Sequence, residues 1–482
     1  MAEEPRKNRE VALTQAALPV VFLLVLIVYG LIIRPHLQGL PPFPLEITFI
    51  LAASFAIGQQ LVLGYRWGTI QDAIVAKLGK GMPGFFILFS VGLIISSWII
   101  CGTIPMLVSV GLDIINPSFL YLLAFLVPVV FSMLTGTSWG SAGTIGVVVI
   151  GIATAMEADL GITAGAIIGG AYFGDKMSPL SDTTNMAALA TEVDLYAHIR
   201  SMMITTMPSA AMASTAFLVL GFVSPPSAAA ADEGSLDAFQ GALRAAFNFN
   251  VVLLVPPLIV LAGSLRKKPI VPTLMVSILT ASTIALLFQR FTLADVMQSL
   301  HRGFEINMAS WVAAVPPEVA ELVNRGGLYA LIEAIVVAFT VFIFVGALDN
   351  IDAMPLIVGR VFRWARTRRS TILASLAATG FTNSLTSNQY ATSFIIGDAF
   401  KGAYDRLGIR RTVLSRSIED YGTMLESLVP WHPTAVFMVA TLGVAWADYW
   451  HWQILSLTNL VLAPTLAILG IGCFFSNAGD VD

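Results

Sequence analysis

The chain has 482 residues, 56% of them hydrophobic and only 12% charged, with a formal net charge of -4. Soluble domains carry about 25% charged residues, so this composition excludes an ordinary soluble protein and points to an all-α polytopic membrane protein whose surroundings are the lipid bilayer. The small net charge gives no argument for a nucleic-acid partner, and Cys101 and Cys473, both in apolar runs, are too few for a disulfide framework.

A basic cluster (Arg6, Lys7, Arg9) precedes an apolar run over 11–33, which is too long for a signal-peptide core and reads as a retained first span. At about 20 apolar residues per crossing, further spans are expected at 44–64, 84–112, 117–134, 200–223, 248–264, 269–289, 328–358 and 448–474. Three stretches, 135–195, 371–400 and 415–445, fall into short apolar pieces separated by Gly, Pro, Ser, Thr and Asn, as re-entrant hairpins and unwound helices do. Segments 225–245 and 290–326 are too polar for the bilayer core. Arg and Lys gather in 6–9, 66–80, 266–268, 360–369 and 401–416, whereas 225–245 has only Arg244. By the positive-inside rule the N-terminus is cytoplasmic and both polar segments are external, in a bacterial or archaeal cytoplasmic membrane.

An internal repeat runs through the same elements. CGTIPMLVSVGL (101–112) aligns with IDAMPLIVGRVF (351–362), GTS (136–138) with LTS (385–387), and MSPLSD (177–182) with the ESL and VPW region (426–431), at a nearly constant offset of about 250 positions. Span 84–112 leaves a cytoplasmic loop, whereas 328–358 runs toward the five-Arg cluster, so the halves are inverted. The expected organisation is N-terminal spans 1–63, a first inverted repeat 64–224, a linker 225–324 with two spans and an external segment, a second repeat 325–475, and a tail 476–482. Inverted halves with broken helices are the pattern of secondary transporters, whose sites lie where the breaks meet.

Four polar stretches carry the candidate chemistry. In GDKMSPLSDTTN, Pro179 removes a donor and disfavours helix at Ser178, so nearby carbonyls are expected to go unpaired. With the side chains of Asp175, Ser181, Asp182, Thr183, Thr184 and Asn185 they form an all-oxygen environment suited to a hard monovalent cation. Ser181 or Asp182 as a helix N-cap is the plainer reading. Lys176 is either a buried charge partner or a snorkelling side chain. In TGTSWGSAGTIG, Thr137 and Ser138 offer hydroxyls among glycines that also suit helix packing. GTSWG also matches G-x-S-x-G, the nucleophile pattern of an intramembrane hydrolase, but without the strand it requires. In the second half Asn383, Ser387 and Asn388 supply neutral oxygens and Glu426 a deep carboxylate. Glu419 and Asp420 follow several arginines and read equally as salt-bridged. His432 is either a pH-sensing group or a satisfied structural histidine.

GTSWGSAGTIG, GDKMSPLSDTTN, RGGLY (325–329) and the IED-x-GT and LVPW run (418–431) resemble the NhaC-type Na+/H+ antiporter family from about Gly64 to Gly443. The resemblance implies inverted repeats with re-entrant hairpins, an elevator-type transporter, a homodimer, and exchange of Na+ (or Li+) for H+ with no cofactor. Sodium-lactate/malate-proton exchangers belong to the same group, which keeps organic anions open as substrates. Where family members usually read T-S-P-L-(V/I)-P-W-N-T, this chain has Leu425 to Pro433 with an added Glu426 and His432. On this reading Na+ is held by Asp182, Ser181, Thr183 and Ser138, with Thr184 and the oxygens of Thr137, Ser387 and Asn388 nearby. A proton competes for Asp182, and Asp175 and Glu426 are reserve proton carriers.

Overall fold

The structure, a computed structural model, describes residues 11–226, 233–312 and 315–473; the basic cluster at 6–9 and the tail at 476–482 lie outside the described residues. Among the described residues every regular element is helical. By length and composition eight helices can cross a bilayer, or ten if two bent pairs each count as one span. The first half comprises α1 (Leu13–Ile33), α2 (Leu45–Val62), α3 (Trp67–Ile100), α4 (Thr103–Ile114), α5 (Pro117–Thr135), α6 (Ser138–Ala155), α7 (Leu160–Met177), α8 (Asp182–Thr191) and α9 (Leu195–Val223). A connecting region holds α10 (Glu233–Ala246), α11 (Val251–Leu265), α12 (Ile270–Phe288), α13 (Leu293–Arg302) and α14 (Pro317–Val323). The second half comprises α15 (Ile332–Asp349), α16 (Ala353–Val361), α17 (Arg368–Thr386), α18 (Gln389–Arg406), α19 (Arg411–Tyr421), α20 (Pro433–Leu442), α21 (Trp446–Trp452) and α22 (Ile454–Leu469).

The two halves follow one plan. α4 and α16, which follow α3 and α15, each start from a left-handed N-cap, Gly102 (φ +91) and Asp352 (φ +47), 250 positions apart. From there the starts of α6 and α18, α7 and α19, α8 and α20, and α9 and α21 are each separated by 251 positions. The left-handed caps that end α8 and α20, Glu192 and Gly443, keep the same separation. This register is firmer than the sequence alignment and differs from it at the second and third matches. It pairs Asp175 with Glu426 and Ser138 with Gln389.

Three expectations change. The span at 84–112 is two helices, because Gly102 breaks it, and the one at 328–358 breaks again at Asp352. Stretch 135–195 holds more than short pieces: α6 is an 18-residue apolar helix. Its glycine-rich start is accommodated by a π-turn at Ala142–Gly146. The polar segments 225–245 and 290–326 contain helices that lay Phe239, Leu243, Val296, Val319 and Leu322 into the main core.

Packing separates an outer layer from an inner one. α1 exposes Leu18, Val21, Val25 and Ile32, the apolar surface of a lipid-facing span, and its opposite side packs with α2 on α15 and α16. α7 is buried along nearly its whole length and lies tightly along α5. That approach needs glycine: a Cβ on Gly170 would collide with the Phe125 carbonyl, and one on Gly174 with Ser132 and Met133. Asp159 caps α7 by accepting from Ile162 N at 3.0 Å, and Asp194 caps α9 by accepting from Ala197 N at 2.9 Å. α7 therefore starts from a capped end and carries its polar C-terminal turn to the centre of the protein.

Candidate functional site

The two breaks of the first half face each other. Gly136 (φ +71) turns the chain after α5, and a Cβ there would lie 2.7 Å from the Leu180 backbone in the α7–α8 break. Thr137 caps α6, its hydroxyl oxygen accepting from Gly140 N at 3.3 Å. Ser178 is extended (φ -79, ψ 132), as the residue before Pro179 should be. The carbonyls released by this break are not free, contrary to the sequence expectation. Thr184 Oγ1 donates to the Asp175 and Lys176 carbonyls, both at 3.0 Å, and Asn185 Nδ2 donates to Pro179 O at 3.1 Å and Ser181 O at 2.6 Å. Thr184 and Asn185 thus brace the break.

Asp175 fills the space between the breaks. Its Oδ2 accepts from Ser138 Oγ at 2.5 Å and from Ser138 N at 3.3 Å, and its Oδ1 accepts from Ser181 Oγ at 2.7 Å. Thr183 Oγ1 lies 3.0 Å from Ser181 Oγ. A buried carboxylate is tolerated in an apolar protein only with such donors, and here the start of α6 also turns its positive dipole end toward it. Asp182 stands differently. It opens α8 on the exposed side, with Tyr390 Oη donating to it at 3.4 Å. Ser181 is the backbone N-cap of α8, yet its hydroxyl serves Asp175 instead of the helix.

Lys176, fully buried on the next position of α7, turns away from Asp175. Its Nζ binds Asp420 on α19. The Asn459 amide bridges the pair when oriented to donate to Asp420 at 3.0 Å and accept from Lys176 at 3.3 Å. Thr205 Oγ1 donates to Asp420 at 2.9 Å, and Arg416 Nε lies 3.9 Å from its other oxygen. The charge partner of Lys176 is therefore in the second half.

There the break is longer. α19 stops at Tyr421 and α20 starts at Pro433, so eleven residues, 422–432, lie between them, against four, 178–181, in the first half. Glu426 lies in this unwound segment, buried, accepting from Thr434 Oγ1 at 3.1 Å and from Tyr172 Oη of α7 at 3.4 Å. Asn388 caps α18, its Oδ1 accepting from Ala391 N at 2.8 Å. Asn383 donates to Gly422 O at 3.0 Å and accepts from Thr392 at 3.3 Å. Ser387 is left-handed (φ +50) and its buried hydroxyl has no partner among the described residues. His432 caps α20, its Nδ1 accepting from Thr434 N at 3.2 Å.

The structure thus gathers Ser138, Ser181 and Thr183 around Asp175, leaves Asp182 at the exposed edge, and puts Ser387 and Asn388 in the other half's turn. Tyr172 was missed in the sequence; it lies three residues before Asp175 on the same face and reaches Glu426. The hydrolase pattern fails on geometry: Ser138 donates to Asp175, while the buried histidines His198 and His432 are engaged with Ser415 and Thr434. A nucleophile needs its base within hydrogen-bond reach.

The sequence model of the Na+/H+ antiporter family matches residues 170–471. A Haemophilus influenzae protein named an uncharacterized Na(+)/H(+) antiporter is 37% identical over 458 residues, 95% of this chain and 96% of the relative. The Na(+)/H(+) antiporter NhaC of Alkalihalophilus pseudofirmus is 33% identical, covering 90% of this chain and 91% of that one. The malate-2H(+)/Na(+)-lactate antiporter of Bacillus subtilis is 31% identical, covering 87% and 88%.

Proposed function

The chain belongs to the Na+/H+ antiporter family, and from that premise we propose that Asp175 is the carboxylate at which its two substrates, Na+ and H+, compete. The protein is a membrane-embedded secondary transporter, not an enzyme, and it exchanges Na+ for H+. The observation that carries the Asp175 assignment is its burial between two helix breaks with hydroxyls on both carboxylate oxygens. Ser138 and Ser181 donate hydrogen bonds to the bare carboxylate, and Thr183 Oγ1 lies 3.0 Å from the Ser181 hydroxyl. The same hydroxyl oxygens have lone pairs to offer once Na+ displaces those hydrogens. Asp182, on the exposed side and beside Tyr390, raises the local cation concentration at the mouth.

Exchange follows from one requirement. An unneutralised carboxylate opposes passage through an apolar barrier because of its desolvation cost, whereas Na+ or H+ on Asp175 cancels that charge. Only loaded forms cross, so the two fluxes are coupled. The recurrence of elements at 251 positions supports two inverted repeats, 64–224 and 325–475, with re-entrant breaks. In our reading these move as an elevator within a homodimer, with a cytoplasmic N-terminus in the cytoplasmic membrane.

The test is Na+- or Li+-driven pH change in everted vesicles. Asp175→Asn is expected to abolish it while the protein still inserts, and Asp182→Asn to leave exchange with a weakened Na+ dependence. Loss with Asp182→Asn alone would return the central role to Asp182. The Bacillus subtilis relative motivates a second arm with lactate and malate; proton movement that needs one of these anions would assign the chain to organic-anion exchange.

A further inference from the structure

We propose that Glu419, Gln389 and Thr423 form a second cation site in the second half of the protein, one that takes a Na+ ion independently of Asp175. Ser138 and Gln389 are each the first residue of the helix that follows a break, and they occupy equivalent positions in the two halves. In the first half that residue is aimed at a carboxylate on the crossing helix. Gln389 does the same with a longer side chain. It reaches past Gly422, where a Cβ would collide with its amide, and lies beside Glu419 on α19, the position equivalent to Ile168 of α7.

The polar satisfaction of this cluster is lopsided. Glu419 is fully buried; its Oε2 accepts from Thr423 Oγ1 at 2.6 Å, and its Oε1 has no partner among the described residues. The Gln389 amide nitrogen donates to Ile418 O at 3.2 Å, while its Oε1, on a side chain only 4% exposed, is likewise unpartnered. Both nearby cations turn elsewhere: Lys176 and Arg416 face Asp420. Buried acceptors without donors are costly, and two on adjacent side chains suit a positive ligand. One carboxylate oxygen, one neutral amide oxygen and one hydroxyl form a hard, all-oxygen donor set. Two sites, one per half, would let each turnover carry more than one charge.

The inference rests on the Na+/H+ exchange reading, and its test separates the two. Equilibrium binding of radioactive sodium to the purified full chain in lipid nanodiscs at alkaline pH should give two ions per chain. Asp175→Asn and Glu419→Gln should each give one, and the double variant none. Glu419→Gln keeps an acceptor for Thr423, and an unchanged thermal unfolding midpoint checks its fold. Gln389→Met, which removes only the neutral oxygen, should weaken one of the two sites about tenfold. A single ion per wild-type chain, or two ions retained by Glu419→Gln, would overturn the second site. Two ions retained by Asp175→Asn would overturn the Asp175 assignment while leaving the second site to its own variants.

Discussion

α7 and α19 occupy equivalent places in the two halves, yet they end differently. α7 stays helical through Met177, so its last two turns present Tyr172, Asp175 and Lys176 from a rigid rod. α19 stops at Tyr421, and the residues equivalent to those last two turns, Gly422 to Leu428, lie in the unwound segment with Glu426. Pro179 lies within the first break, of four residues, whereas the second begins at Gly422, whose ψ of -80 departs from the helix and where a Cβ would collide with Gln389 Oε1. One carboxylate is held on a helix with hydroxyls on both oxygens; the other lies on irregular chain with two donors on a single oxygen. Equivalent acids in a duplicated protein can thus serve unequal parts, because backbone order decides how many donors reach them.

The largest expected effect comes from the contact that joins these two helices. Lys176→Met strands Asp420 in a buried site, and removing one partner of such a pair costs about 3–5 kcal/mol. The unfolding midpoint in detergent should fall sharply, and a second change, Asp420→Asn, should recover much of it. Next is the hydroxyl inequality. Ser138→Ala removes a hydroxyl oxygen that our reading gives to Na+ once its hydrogen bond to Asp175 is displaced, so the apparent affinity for Na+ in vesicle exchange should drop on the order of tenfold. Thr434→Val, at the longer contact to Glu426, should change it less. An equal loss from both would erase the distinction between the two acids.

The smallest effect belongs to the surface cluster that ties α8 to the second half. Arg411 pairs with Glu192 and with Asp405, the latter at 2.7 Å, and Lys401 reaches Glu192 at 2.9 Å. Arg411→Ala should shift stability by less than about 1 kcal/mol and lose that effect in high salt. Hydrogen bonds from Lys401 and Arg411 hold the Glu192 carboxyl below its ordinary range, and Arg411 does the same for Asp405. Because both folded values are depressed, this contribution is complete at neutral pH and fades only as pH falls below the usual carboxylate range. Thermal scans of wild type and Arg411→Ala at neutral and acidic pH should therefore converge on the acidic side.

Most of the architecture was legible in apolar run lengths and in the near-constant repeat. What hid was local. The glycines of 135–146 look like helix breakers, yet a π-turn absorbs them and α6 runs on. Pro179 correctly marked the break, but the side of the break on which each acid falls depends on where α7 stops. The run LGITAGAIIGGAYF carries its helix on through Asp175, whereas Asp182 opens a new helix facing outward. A register of 251 positions pairs Asp175 with Glu426 in plain sequence; short motif matches at slightly smaller spacings concealed it. Lys176 could not be placed from its neighbour Asp175, because adjacent helical residues point about 100° apart and its partner is 244 positions away.

The glycine face of α7 has a mechanical side. Gly170 and Gly174 seat that helix directly on the α5 backbone, with no side-chain layer between them to act as a bearing. Two such surfaces interlock instead of sliding, so any displacement that carries Asp175 across the membrane has to take α5 with it as one solid piece. In the elevator movement proposed above, the sliding seam would then run where side chains still separate the helices.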